Sequence, residues 1–217
     1  MKITIGGSYH EPGWTEVCNL AKKLRDAGHE VLAPGDEWEP IDNSKSFVRF
    51  KGEENNTVQE LQDSFFEKMR ISDAHVICNF DSYLGMASSV EFGYAAMALL
   101  NKSCNLKHMY LMNPPFFYSL FSNGNRITIE TFKDLLFNSS EYRNALGFYK
   151  KFLGAPDGVF GYESVEDFYE DLRVFSVQVE FLQMKGLLTI GLDQLLDINK
   201  DKTSDKSKDT TSDLDER

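Results

Sequence analysis

The first half of the chain alternates between two hydrophobic periods. MKITIGG is a short apolar run closed by two glycines and predicts a strand; Thr15 to Ala27 then carries Val17, Leu20, Ala21 and Leu24 at helical spacing, ended by Gly28 and His29. HEVLAP reads as a second strand, so the chain opens on a βαβ unit, which predicts a parallel sheet covered by helices. Residues 34 to 56 are polar, hold two prolines and two glycines, and are too long for an ordinary connection. Helical spacing resumes at Val58 and runs to about Ser72, with Leu61, Phe65, Phe66 and Met69 as its apolar stripe. AHVICNF predicts a third strand, apolar enough to be central. A turn and a helix from about Ser88 to Leu100 follow, and KHMYLM at 107 to 112 predicts a fourth strand.

After NPPFFYSLF the texture changes. The remainder to about Leu196 predicts helices near 128 to 137, 139 to 153, 163 to 185 and 189 to 197, with glycine and proline at the joints and no strand among them. From Asn199 onward almost nothing is apolar, which predicts disorder. The expected architecture is α/β. A flavodoxin- or Rossmann-like parallel sheet of four to five strands, with helices on both faces, spans residues 1–113. A C-terminal helical extension spans 114–198, and a disordered polar tail spans 199–217.

Composition narrows the partners. With 217 residues, 41% of them hydrophobic, the chain can bury a proper core. Its net charge is -11, yet the stretch from Asn199 to Arg217 carries five basic and six acidic residues, so the acidity belongs to the folded body. Such a surface repels phosphate backbones and anionic membranes, which argues against extended nucleic acid and leaves room for a small nucleotide held by local dipoles. No apolar run reaches membrane-spanning length and no signal-like apolar region opens the chain, so a cytoplasmic protein is expected. Cys18, Cys78 and Cys104 stand at unrelated spacings and predict reduced thiols. His10, His29, His75 and His108 show no zinc-like spacing, and no metal site is expected.

In an open parallel sheet, ligands bind beyond the carboxyl ends of the strands. Three polar segments land there: GGSYH, APGDEWEP and NFDSYLGMASSVE. Gly6 and Gly7 would let the backbone pass close to a ligand and Ser8 offers a hydroxyl, although a plain tight turn accounts for these residues equally well. Tyr9 sits just past that turn. Asp81 falls at the carboxyl end of the third strand, whereas Asp73 precedes that strand and reads as a turn residue; Asp63 is ambiguous. Glu91 stands early in a helix, where the dipole alone would stabilise it by about 0.5 kcal/mol. Two features give it a sharper reading. The run Phe92, Gly93, Tyr94, Ala95, Ala96 would let the helix press on the sheet, and Ser88 and Ser89 offer hydroxyls and amides to an anion. A rigid carboxylate beside a second acid suits attack at an anomeric carbon.

ISDAHVICNFDSYLGMASSVEFGYAAMALLNK, with MKITIGGSYH and GHEVLAP before it, resembles the nucleoside 2-deoxyribosyltransferase-like superfamily. The likeness lies in an apolar strand, a glycine-serine turn, E-x-G-x-A and a lysine, and it spans about Met1 to Asn113. It implies that Glu91 attacks C1' of a nucleoside or nucleoside monophosphate, that Asp81 assists the leaving base and that Tyr9 positions the nucleophile. Gly6, Gly7, Ser8, Gly85, Ser88 and Ser89 would line the substrate, the two serines taking a 5'-phosphate. No cofactor is required, because the carboxylate does the covalent work. Rival expectations are a nucleotide-binding sensor without catalysis and a TIR-like enzyme that cleaves NAD. The aromatic run at 114 to 121 suits either core packing or a dimer face, and a homodimer is expected.

Overall fold

The computed structural model describes residues 1–7, 9, 13–35, 40–42, 48–79, 86–113, 116–122, 125, 127–139 and 165–197. Strands β1 (Lys2–Gly7), β2 (Glu30–Ala33), β5 (Ala74–Cys78), β6 (His108–Leu111) and β7 (Leu188–Ile190) form one sheet in the order β2-β1-β5-β6-β7. All its pairings are parallel. Counted within the sheet alone, this is the flavodoxin-like order 2-1-3-4-5, whose direction reverses between β1 and β5. The fold class is therefore the α/β, Rossmann-like one that the alternating periods predict.

Strand β5 is buried from end to end, as a central strand covered on both faces must be. On one face Ile3, Ile5, Val76 and Cys78 pack with Val17, Leu20, Ala21 and Leu24 of α1 (Gly13–Asp26), the same residues whose spacing predicts that helix. On the other face, helices α2 (Val58–Ile71) and α3 (Met86–Asn101) lie over Ile77 and Met109. Helix α2 starts where the pattern places it because Thr57 closes a capping box. Its hydroxyl accepts the Glu60 N–H at 3.2 Å, and the Glu60 carboxylate accepts the Thr57 N–H at 2.7 Å. Asp73 is the turn residue the sequence predicts: its carboxylate accepts the Lys2 N–H at 2.9 Å and the Lys107 ammonium at 2.8 Å, tying together the amino ends of three strands.

The polar stretch 34 to 56 contains a small antiparallel ribbon of β3 (Pro40–Asp42) and β4 (Arg49–Phe50), with Phe50 packed against Trp14 and Val48 buried in the same cluster. The run PPFFYSLF enters a 3₁₀ turn at Phe116–Leu120, and Tyr118 and Phe121 are buried, so core packing is the fate of those two rings. Helices α4 (Ile129–Asn138) and α5 (Val165–Met184) match two of the predicted C-terminal helices. The predicted helix at 139 to 153 and the polar tail at 199–217 fall almost wholly outside the described residues.

One expectation is overturned. The stretch 189 to 197, read as a helix, is the strand β7 followed by the short helix α6 (Asp193–Leu196). Gly186 and Gly191 bracket the strand at φ 67° and 94°, backbone that L side chains rarely adopt. Gly186 closes α5 in a Schellman motif, with Leu187 N–H bonded to Leu182 C=O and Gly186 N–H to Gln183 C=O, both at 2.9 Å. The chain thus turns sharply, lays Leu188 to Ile190 beside β6, and turns again. A boundary at 113 therefore cuts through the sheet, because β7 is its fifth strand.

If β7 is integral to the domain, Leu188→Ala should destabilise the whole of it by about 2–4 kcal/mol. In a Trp38→Phe background, Trp14 fluorescence, which reports the opposite face of the sheet, should lose structure at the same lowered urea midpoint as far-ultraviolet circular dichroism. A Trp14 transition left where it was would make β7 an appendage.

Candidate functional site

Parallel pairing of β1 with β5 sets Thr4 opposite His75, Gly6 opposite Ile77 and Gly7 opposite Cys78. Because side chains alternate along a strand, Thr4, Gly6, His75 and Ile77 share the face covered by α2 and α3. Glu91 comes down on that face from the second turn of α3 and is 7% exposed. Its landing place is Gly6: a β-carbon on that residue would lie 2.1 Å from Glu91 Oε2 and 3.1 Å from His75 Cε1. The missing side chain of Gly6 therefore makes room for the protein's own carboxyl, which is a different use from the ligand approach expected of it. Gly7 is tight for another reason, since a β-carbon there would meet the Cys78 carbonyl oxygen at 2.5 Å.

The electrostatics follow from burial. Glu91 Oε2 is enclosed and has no hydrogen-bond partner, and burial pushes the carboxyl up to about 8. His75 is fully buried, its Nδ1 3.1 Å from Thr4 Oγ1 and its Nε2 without a partner. Burial drives this imidazole down to about 3, against a smaller opposing effect of a bond to the Thr4 main chain. Phe65 of α2 packs edge-on against the ring. Two titratable groups, each with one unpartnered polar atom, thus converge beneath Gly6, at the strand pair where the sheet order reverses.

The remaining predicted residues are placed unevenly. Tyr9 is partly buried and its hydroxyl donates to the Ile5 carbonyl at 2.7 Å, while its ring stands edge-on to Trp14 and Phe50. Its phenol is held well above the usual range, first by burial and then by the charge of Glu91. Ser88, one turn before Glu91, is buried; Ser89 is exposed. Gly93 is exposed as well, with nothing within 4 Å of where its β-carbon would be, so it does not press α3 onto the sheet. Ala95 and Ala98, both buried, do so instead. Ser8, Asp81 and Gly85 lie outside the described residues.

Two polar residues escaped the sequence reading. His75 is one. Asn79, directly after β5, is the other: it is 3% exposed, and neither Nδ2 nor Oδ1 has a partner, while its main-chain carbonyl accepts Asn113 Nδ2 at 2.7 Å. The only signal for either was a polar letter within the apolar run AHVICNF. Burial first and Glu16 second push the thiol of Cys78, between them, up to about 12, which disfavours the thiolate. Among the described residues no three His, Cys, Asp or Glu side chains gather as a metal ion would require, and no helix is long and apolar enough to cross a membrane. Comparison of the chain with protein-family models, with curated proteins and with solved structures finds no match.

Glu91 and His75 make stability depend on pH in opposite senses. The carboxyl binds its proton more tightly folded than unfolded, so its contribution is lost as pH rises from about 4.5 through about 8; the imidazole's is lost as pH falls from about 6.5 through about 3. They oppose each other between 4.5 and 6.5, and Glu91 acts alone above that. Unfolding free energy should therefore fall between pH 6.5 and 8, by at most about 1.4 kcal/mol per pH unit, and Glu91→Gln should remove that slope. Gly6→Ala should fold, at a cost of about 1–3 kcal/mol, and also lose the slope, because the new methyl evicts the carboxyl. Chemical denaturation at stepped pH checks both.

Proposed function

We propose that this protein cleaves or transfers the N-glycosidic bond of a nucleoside or nucleoside monophosphate, with Glu91 as the nucleophile at C1'. The observation that carries this reading is the Glu91 carboxyl, buried without a partner beside the reversal point of the sheet, where open α/β sheets bind ligands. A carboxyl kept from water and free of salt bridges is poorly solvated as an anion, which makes it reactive toward an electrophilic carbon. Attack forms an ester between Glu91 and C1' as the C1'–N bond breaks and the base departs with the bonding pair. Water or a second base then releases the sugar.

The partly and wholly buried polar groups nearby suit such a substrate. Asn79 has an uncommitted donor and acceptor on one planar amide, the combination a nucleobase edge presents in return. Ser88 lies on the Glu91 side of α3, within the first turn, where amides and a hydroxyl favour an anion such as a 5'-phosphate. Asp81, as the group assisting the leaving base, and Tyr9, through the aromatic wall it builds with Trp14 and Phe50, complete the reading. No cofactor takes part.

The same reading makes the protein a homodimer. Val90, Met97 and Leu100 on α3 and Val174, Val177 and Phe181 on α5 are exposed, and the two helices meet through Phe92 and Phe175 at 4.9 Å. In an acidic chain, an apolar face of this kind lets two like-charged copies approach. Met97→Glu with Val177→Glu should convert a dimer into monomers in sedimentation equilibrium without changing circular dichroism.

Incubation with ribo- and deoxyribonucleosides, their monophosphates and NAD, with free base followed by chromatography, tests the chemistry. The wild type should release base, Glu91→Ala and Glu91→Gln should lose on the order of a thousandfold or more, and rapid quench should leave a sugar on the Glu91 peptide by mass spectrometry. Base release undiminished in Glu91→Ala overturns the assignment. Release from NAD alone assigns the NAD-cleaving alternative, and binding without release assigns a sensor.

A further inference from the structure

The buried groups of the site leave one base unused. His75 Nε2 and Glu91 Oε2 are both enclosed, both lack a partner, and both side chains converge on the space that Gly6 leaves empty. Native interiors rarely tolerate such atoms, because each left unpaired forfeits the hydrogen bond it would make in water.

The protonation pattern of the pair follows from what holds the ring. Nδ1 faces the Thr4 hydroxyl at 3.1 Å, a contact the hydroxyl can make as donor or as acceptor, and a bond to the Thr4 main chain strengthens the ring's hold on a proton. With the proton on Nδ1, Nε2 carries a lone pair and is an acceptor. Glu91, when neutral, has one hydrogen to donate. Donor and acceptor therefore match, and a rotation of the carboxyl that brought the two atoms within reach would close the link.

We propose that His75 is the proton partner of Glu91: its Nε2 holds the carboxyl hydrogen at rest and takes it as Glu91 attacks the sugar. The catalytic part of this inference rests on the glycosidic reading, while the hydrogen bond itself does not. In the step, the Oε2–H bond breaks and Nε2–H forms. The oxygen pair so freed makes the ester bond to C1', and the base leaves with the C1'–N pair and is protonated by Asp81 or water. His75 returns its proton when the ester is hydrolysed. Transfer creates an imidazolium and a carboxylate together, so each charge offsets what burial would cost the other alone. His75 never touches substrate and is a positioning residue. Of the other titratable groups, Tyr9 feels the charge of Glu91; Thr4 from β1 and Phe65 from α2 border the ring.

Two measurements on the full chain decide the matter. In ¹⁵N-histidine spectra, His75 should be a neutral Nδ1–H tautomer whose Nε2 resonance is displaced by hydrogen bonding. Glu91→Gln should move that resonance while leaving those of His29 and His108 in place. A resonance unmoved by Glu91→Gln, or an Nε2–H tautomer in the wild type, overturns the proposal without reference to any activity. In base release, His75→Gln, which can accept a hydrogen bond but cannot carry a proton, should lower kcat about tenfold to a hundredfold with KM unchanged. The variant depends on Glu91 that is already ionised, so its rate should climb with pH from 6.5 to 8, where the wild type stays level. An equal kcat and the same flat profile in His75→Gln refute the proton transfer. If no substrate releases base, the glycosidic reading fails by itself and the spectra still decide the hydrogen bond.

Discussion

Gly6 has no side chain, and the carboxyl of Glu91 occupies the room one would take. That contact sets the rest of the site. It fixes where α3 settles on the sheet, because the helix must bring residue 91 over the α-carbon of residue 6 while Ala95 and Ala98 meet the strands below. It also decides the ionisation of the carboxyl, since the place where it rests is closed to water and provides no donor for Oε2. A helix held by small side chains can approach a sheet closely, and only a close approach brings a glutamate so deep.

Much of this was legible along the chain. Strand β1 announces itself as a short apolar run closed by two glycines, and helices α1 and α2 by helical spacing. Glu91 was legible too, as a charge lodged among small and apolar neighbours. Gly93 was misjudged for a reason the geometry of a helix supplies: two residues beyond Glu91 is about 200° around the axis, so if Glu91 faces inward Gly93 faces out. The small residues that matter lie four and seven places on, at Ala95 and Ala98.

What stayed hidden depends on pairing between distant strands. Only a polar letter in the apolar run AHVIC marks His75, and a single such residue disturbs no period. It becomes informative only when the β1–β5 register sets it beside Thr4 and two places from the residue opposite Gly6. Strand β7 was hidden by its length. Three residues are too few to establish alternation, and LLTIGLDQLL continues an apolar texture that suits a helix equally well. Its identity resides in the glycines at 186 and 191, whose backbone angles only the fold reveals.

Strand β7 pairs with β6, yet residues 112 to 187 separate the two in sequence. During synthesis the outer edge of β6, with Met109, Tyr110 and Leu111, waits for its neighbour while the whole of that stretch is still being made. An apolar strand with open amides and carbonyls is a template for another chain's strand. The order in which the sheet is assembled therefore places the hazard of aggregation early, in the nascent chain, and concentrates it on one edge. Closing that edge demands a contact of long sequence separation, a slow event by the entropy of loop closure.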